Sequence, residues 1–312
     1  MTIPARDPAR EQAITFSCGG AALLGIVHPA PAAADTVSPA PASAGTGVLI
    51  VVGGPQYRTG SHRQFLLLAR QLAADGIPVM RFAHRGIGDS EGDFRGFEAL
   101  DEDIAAAIDA FQAHCPGLKR IVLWGLCDAA AAILFYAHRD PRVSGVVLLN
   151  PWVRTPEGEA RAVLRHYYLQ RLVDGAFWRR LAAGRVNPWA SAKSLLELLA
   201  RRFRSPDAAD TAADSAPLPA PLPDRMAAGL ARYRGPVLLI MSGRDLTARE
   251  FEDAAAASDT WRRLLGEPRV RRCDLGDADH TFSRRAWRDT VAQWTVAWLR
   301  RQSGDGEAAP SE

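Results

Sequence analysis

Residues 120–139 read RIVLWGLCDAAAAILFYAHR, and the change of pattern inside that stretch decides the fold. RIVLWGL is an apolar run of strand length, and from Asp128 to about residue 139 the pattern becomes helical. Cys127 sits at the junction, with Gly125 and Ala129 on either side. A strand that turns sharply into a helix needs small residues there, because the two elements nearly touch. A cysteine at such a junction is, taken alone, most often a buried small hydrophobe. The rest of the chain decides whether it is more.

Outward from this junction the alternation repeats. GVLIVV (47–52) ends at Gly53, Gly54 and Pro55, a helix is expected over 61–74, and IPVMRF (77–82) is the next strand. A helix over about 97–113 precedes the junction, and VSGVVLLN (143–150) follows it. Strand pattern resumes at PVLLIMSGRD (236–245), then a helix at about 249–265, the strand RVRRCDL (269–275), a loop holding His280, and a terminal helix to about residue 301. Strands apolar on both faces, alternating with amphipathic helices, imply an α/β fold: a mostly parallel sheet covered on both sides, with right-handed crossovers.

At the N-terminal end, Ile14 and Phe16 alternate with polar or small residues, Gly19-Gly20 makes a turn, and Leu24 and Ile26 resume beyond it. A β-hairpin explains this better than a signal peptide, although Arg6, Arg10 and the small residues of APAAAD imitate one. Residues 29–45 (PAPAAADTVSPAPASAG) read as a flexible insertion, and 303–312 as a disordered tail. The expected core is therefore 1–151 with 230–302. Between them, 152–229 is expected to be a helical cap or lid that includes a low-complexity linker.

A chain of 312 residues, 47% hydrophobic and 23% charged, can bury a full core and carry an insertion. Its 38 basic and 35 acidic residues leave a net charge of +3, too even for a nucleic-acid binder. No apolar run reaches the ~18 residues a membrane span needs. Cys18, Cys115, Cys127 and Cys273 are scattered, without C-x-x-C or metal-ligand spacing. The expectation is a cytoplasmic protein with reduced thiols, no metal, no cofactor and an open oligomeric state.

In an open α/β sheet, ligands gather at the carboxyl ends of the strands. Three residues stand out there: Cys127, then Asp245 after VLLIMSGR, then His280 in GDADHTF. Nucleophile, acid, base is the chain order expected when a strand-to-helix turn presents the nucleophile. His62 and His84 also follow apolar strands, but at positions suited to substrate contact, with a solvated loop histidine as the plainer reading. Asp274, Asp277 and Asp279 crowd the base's own loop, and the strand before the cap ends in Asn150, which carries no charge. The loop HRGIGDSEG lacks the Lys-Ser/Thr pair of a phosphate loop and reads as a tight turn.

These features resemble the α/β-hydrolase superfamily from about residue 12 to 301, with G-L-C-D-A in place of G-x-S-x-G. GGPQYRTGSHRQF, RGIGDSEG and WGLCDAA are similar to the hydrolases called exosortase A system-associated hydrolase 1, encoded beside bacterial exopolysaccharide and protein-sorting genes. The resemblance implies a Cys127–His280–Asp245 triad. A free thiol, with a pKa of about 8.5, is favoured as thiolate at a helix N-terminus or beside an imidazole. His280 would take the thiol proton, and Asp245 would fix the imidazole's tautomer. Asp128 would give one oxyanion donor through its N–H, and its carboxylate should disfavour the thiolate unless it turns away. Pro55 has no N–H, so the second donor lies among Gly54, Gln56 and Tyr57, with Gln56 preferred.

Tyr57, His62, Arg161 and Arg165 complete the candidate substrate contacts. The basic cap reads either as a solvated face or as an anion-steering lid over a phosphorylated carrier, lipid headgroup or acidic sugar. The expected activity is hydrolysis of a small-molecule or carrier-bound ester or thioester through an acyl-enzyme. The alternatives are an acyltransferase on the same triad and an inactive binding scaffold.

Overall fold

The computed structural model describes residues 11–30, 45–54, 56–153 and 220–302. Compactness divides the chain into one unit of Met1–Arg154 with Leu222–Glu312 and another of Thr155–Pro221. The tail and most of the expected insertion and of the expected cap, including Arg161 and Arg165, lie outside the described residues.

The described part of the first unit is built on an eight-stranded sheet. Its strands are β1 (Gln12–Cys18), β2 (Ala21–His28), β3 (Thr46–Val51), β4 (Val79–Ala83), β5 (Arg120–Leu126), β6 (Val143–Leu149), β7 (Val237–Ser242) and β8 (Val270–Leu275), in the order β1-β2-β4-β3-β5-β6-β7-β8. β1 and β2 form the expected antiparallel hairpin, with Cys18 opposite Ala21 across the Gly19-Gly20 turn. β2 runs antiparallel to β4, and every later pairing is parallel.

Period-two alternation sends neighbouring residues of one strand into different cores. Leu49 and Val51 of β3 pack on one face with Phe82, Ile104, Phe111 and Leu134, while Val48 and Ile50 pack on the other with Phe65, Trp124, Ile240 and Trp298. Helices α1 (Gln64–Ala74) and α7 (Arg285–Gln302) supply side chains to the second face. α2 (Asp101–His114), α3 (Asp128–Tyr136), α4 (Leu222–Arg232), α5 (Leu246–Ala257) and α6 (Asp259–Leu265) supply the first. β8 departs from the two-sided apolar pattern because it is the sheet's edge. It carries charges, among them Arg272 paired with Asp274 and Glu252, as suits an edge that must not recruit another strand.

Two boundaries differ from expectation. The single helix expected over about 249–265 is two, because Ser258 adopts an extended backbone and its side chain caps the second by accepting from the Trp261 N–H. The core also resumes at Leu222 rather than at residue 230. α4 packs so closely on α3 that a Cβ at Gly229 would overlap the Leu134 carbonyl oxygen. Backbone atoms cannot swing aside, so Gly229→Ala is expected to lower stability by about 1–3 kcal/mol in chemical denaturation.

HRGIGDSEG is a tight turn that ties β4 to the hairpin. Ser90 Oγ donates to the Ala83 carbonyl and accepts from the Leu24 N–H. The Glu91 carboxylate accepts from the Ala22 N–H. Beside it, buried Arg85 meets buried Asp103 of α2 through Nη2 at 2.8 Å and through its backbone N–H at 2.9 Å. Removing one partner of such a pair leaves an uncompensated buried charge. Asp103→Ala is therefore expected to cost about 3–5 kcal/mol in urea denaturation, while Glu102→Ala, on the exposed side of the same arginine, costs under about 1 kcal/mol.

Candidate active site

β5 ends at Leu126 and α3 starts at Asp128, so Cys127 makes the whole turn, with φ 65° and ψ −123°. A non-glycine residue held there stores about 1–3 kcal/mol of strain, sustained only if its surroundings fix it. They do so here through the backbone. The Cys127 N–H donates to the Leu149 carbonyl at 2.8 Å, and its own carbonyl accepts from Trp152 at 3.1 Å and from Ala130 and Ala131. Gly125 is needed beneath the turn, since a Cβ there would lie 2.7 Å from Ile133 Cδ1 and 2.9 Å from the Ala129 carbonyl carbon.

His280, in the loop after β8, places Nδ1 2.7 Å from Asp245 Oδ2. Asp245 is buried at the N-terminus of α5 and also accepts the N–H groups of Thr247 and Ala248, both at 3.1 Å. Cys127 lies within interaction range of the same imidazole. Burial alone would pull the His280 imidazolium pKa down. The bonds to Asp245 and Cys127 and their negative charge outweigh burial and hold it at about 10. A thiol, an imidazole and a carboxylate thus come together, a set able to move a proton away from sulfur and give it to a leaving group.

Asn150 at the end of β6 carries no charge and is no candidate for the acid. It is fully buried, donates through Nδ2 to the His280 carbonyl at 3.0 Å, and accepts the Ser242 N–H through Oδ1 at 2.9 Å. It therefore ties the His280 loop to β7. Its place at the carboxyl end of a central strand was the available signal.

The other candidates divide. The Gln56 N–H donates to the Gly53 carbonyl at 3.2 Å, so this donor is spent in its own loop. Tyr57 is exposed, and its hydroxyl donates to Asp89 at 2.5 Å with the Arg58 guanidinium over its ring. His62 is exposed and close enough for its charge to act on Asp279 of the His280 loop. His84 is no solvated loop histidine: it is buried, stacks on Phe94 and has its pKa lowered by burial.

Asp128 is the least expected. Its carboxylate turns toward the loop after β3 and accepts the Ala129 N–H at 3.0 Å, with the N–H groups of Asp128 itself and of Gly54 close enough to favour its charge. A Cβ at Gly53 would overlap Asp128 Oδ1, and one at Gly54 would lie 2.8 Å from Oδ2. Burial pushes this carboxyl above its ordinary pKa, although all three N–H donors oppose the rise.

Among the described residues no group of three His, Cys, Asp or Glu side chains could hold a metal ion. None of their helices is long and apolar enough to cross a membrane.

The family model described as "Serine aminopeptidase, S33" matches residues 47–205, just over half of the chain. The esterase Pf2001 of Pyrococcus furiosus is similar in structure, with 14% identity, 96% of this chain and 97% of that one covered, and a TM-score of 0.60. The α/β hydrolase GrgF of Penicillium sp. sh18 gives 16%, 94%, 99% and 0.58, and a thermophilic esterase of Thermogutta terrifontis with malate bound gives 19%, 94%, 99% and 0.52. No curated protein matches the sequence. At these identities the solved structures speak for the fold, and the family match carries the assignment. With an eight-stranded, mostly parallel sheet and a strained turn after β5, this chain is an α/β hydrolase and belongs to the serine aminopeptidase S33 family, with a cysteine at the turn.

Proposed function

We propose that the protein hydrolyses an ester or thioester through an acyl-enzyme on Cys127, with His280 as base and acid and Asp245 as its partner. The observation that carries this reading is His280, its Nδ1 2.7 Å from buried Asp245 and its imidazole within interaction range of the thiol at the strained turn. With its pKa at about 10, His280 already holds the thiol proton before attack, and Sγ adds to the substrate carbonyl. His280 then gives that proton to the departing alcohol or thiol, leaving an acyl thioester. Water, deprotonated by the same imidazole, attacks the thioester and releases the acid and the thiol. Asp245 keeps the proton on Nδ1, so that the other ring nitrogen faces sulfur.

The oxyanion donors in this reading are the N–H groups of Asp128 and Gly54. Gly54 replaces Gln56, whose N–H is bound to Gly53. Tyr57 and His62 line the approach from the loop after β3, and Arg161 and Arg165 would steer an anionic or carrier-bound substrate. The esterase descriptions of two structural neighbours favour an ester. A cytoplasmic setting rests on the scattered free cysteines, and a place in exopolysaccharide- and exosortase-linked metabolism rests on the resemblance of the sequence motifs.

Intact mass after incubation with short p-nitrophenyl esters and acyl thioesters should show one acyl group, mapped to the Cys127 peptide and lost in Cys127→Ala. No adduct and no turnover across chain lengths would leave a binding scaffold instead. A cysteine also makes acyl transfer natural, because the thioester can wait for an acceptor. Acylated glycerol, sugar or amine appearing when these are added would make the protein an acyltransferase.

A further inference from the structure

We propose that the Asp128 carboxylate is a built-in occupant of the oxyanion pocket, so that the site is latched as it stands and a substrate carbonyl enters only as that side chain leaves. For its kinetic consequence this rests on the acyl-enzyme reading above. For its structural content it rests on the position of one side chain.

The donors that a tetrahedral intermediate would need are the N–H of the residue after the nucleophile and an N–H from the loop after β3. Here those are the N–H groups of Asp128 and Gly54, and the Asp128 carboxylate lies against that loop, Oδ1 where a Cβ of Gly53 would sit and Oδ2 2.8 Å from where one of Gly54 would, close enough for both N–H groups to favour its charge. A carboxylate is a fair mimic of the oxyanion, being negative and accepting charge-assisted bonds. The loop is shaped for it. Neither Gly53 nor Gly54 has a side chain where the carboxylate lies, and a Cβ at Gly53 would overlap Oδ1. Asp128 takes part in no ion pair that would anchor it elsewhere among the described residues, and the bonds that hold it are to backbone N–H groups. Rotation about its side-chain torsions therefore opens the pocket at the cost of its bond from the Ala129 N–H.

Opening comes before acylation, so only the unlatched fraction of molecules reacts at any moment. A substrate that supplies a stronger acceptor than the carboxylate lifts the latch. A molecule that merely approaches Cys127 does not. The latch thus selects for carbonyls whose oxygen can displace a carboxylate from two N–H donors.

The test compares wild type, Asp128→Ala and Asp128→Asn, the last keeping the side chain's volume at the start of α3. The backbone amide of Gly54, followed by NMR, reads the occupant directly. In Asp128→Ala it should shift for want of an acceptor and return toward the wild-type position as sodium formate is added. Formate should leave the wild-type signal in place. Acyl-enzyme formation with p-nitrophenyl acetate, followed by intact mass, should be about tenfold faster in Asp128→Ala, with Asp128→Asn in between. A Gly54 amide unmoved by Asp128→Ala, or moved by formate equally in wild type, overturns the latch. Slower or unchanged acylation in Asp128→Ala overturns it too, and leaves the acyl-enzyme reading intact. Absence of the adduct in all three proteins overturns the acyl-enzyme reading instead, and the Gly54 signal still decides the occupant.

Discussion

Cys127→Ala is expected to lower kcat/KM on an acyl ester by about 10^4-fold or more, with the fold and its stability retained. Alanine fits the turn, but it removes the atom proposed to attack, and residual rate then comes from binding alone. The substitution also removes one of the partners that hold the His280 proton. Cys127→Ser separates these effects. The hydroxyl restores a nucleophile of the type in the family's name, yet it is far less acidic and its C–O bond is shorter than C–S. A recovery of about tenfold to 100-fold over Cys127→Ala is expected. Turnover in Cys127→Ala near the wild-type rate, measured with the same ester, would place the chemistry elsewhere.

The second large effect belongs to Asp245. Asp245→Asn should lower kcat by about 10^3 to 10^4-fold, because an amide can donate to Nδ1 and leave the proton on the nitrogen that faces sulfur. It should also change the pH profile in a defined direction. His280 has its pKa raised from 6.5 to about 10, so its proton is present below that value and lost as pH rises through it. Leaving-group protonation is therefore expected to persist to about pH 10 in wild type. Without the Asp245 charge the alkaline limb should move down toward 6.5, with the sign reported by kcat/KM across pH 6 to 11. The same linkage makes the His280 interactions stabilising below pH 6.5, with that contribution lost as pH rises toward 10. A limb that stays in place in Asp245→Asn would mean that the carboxylate serves α5 alone.

How far the sequence could be read depended on what each feature needs. The sheet was legible because central strands must be apolar on both faces, which GVLIVV and RIVLWGL display without ambiguity. Ser258 was legible in principle as a cap, but an unbroken helical periodicity on either side hid the break. The start of α4 was hidden for a different reason: its neighbouring sequence is linker-like, and only Gly229 against Leu134 shows why the helix packs there. In the site, Cys127, Asp245 and His280 follow from strand ends and chain order, and the structure brings the three together. Asn150 and the Asp128 carboxylate do not follow, because both act through backbone partners. A spacing rule finds side chains that need each other, and it is blind to side chains that need an N–H or a carbonyl of the main chain. Gln56 failed as a donor on the same ground, its N–H being taken by Gly53 three residues earlier.

Asp245 carries two duties with one side chain: it starts α5 through the N–H groups of Thr247 and Ala248, and it holds His280. The connection from β7 to α5 consequently has a frozen length. One residue inserted between Ser242 and Asp245, or between Asp245 and Thr247, would move a helix start away from the imidazole or the imidazole's partner away from the helix. Insertion scanning across the chain should find this loop intolerant although it lies near the surface, and natural variants should differ here by replacement rather than by gain or loss of residues.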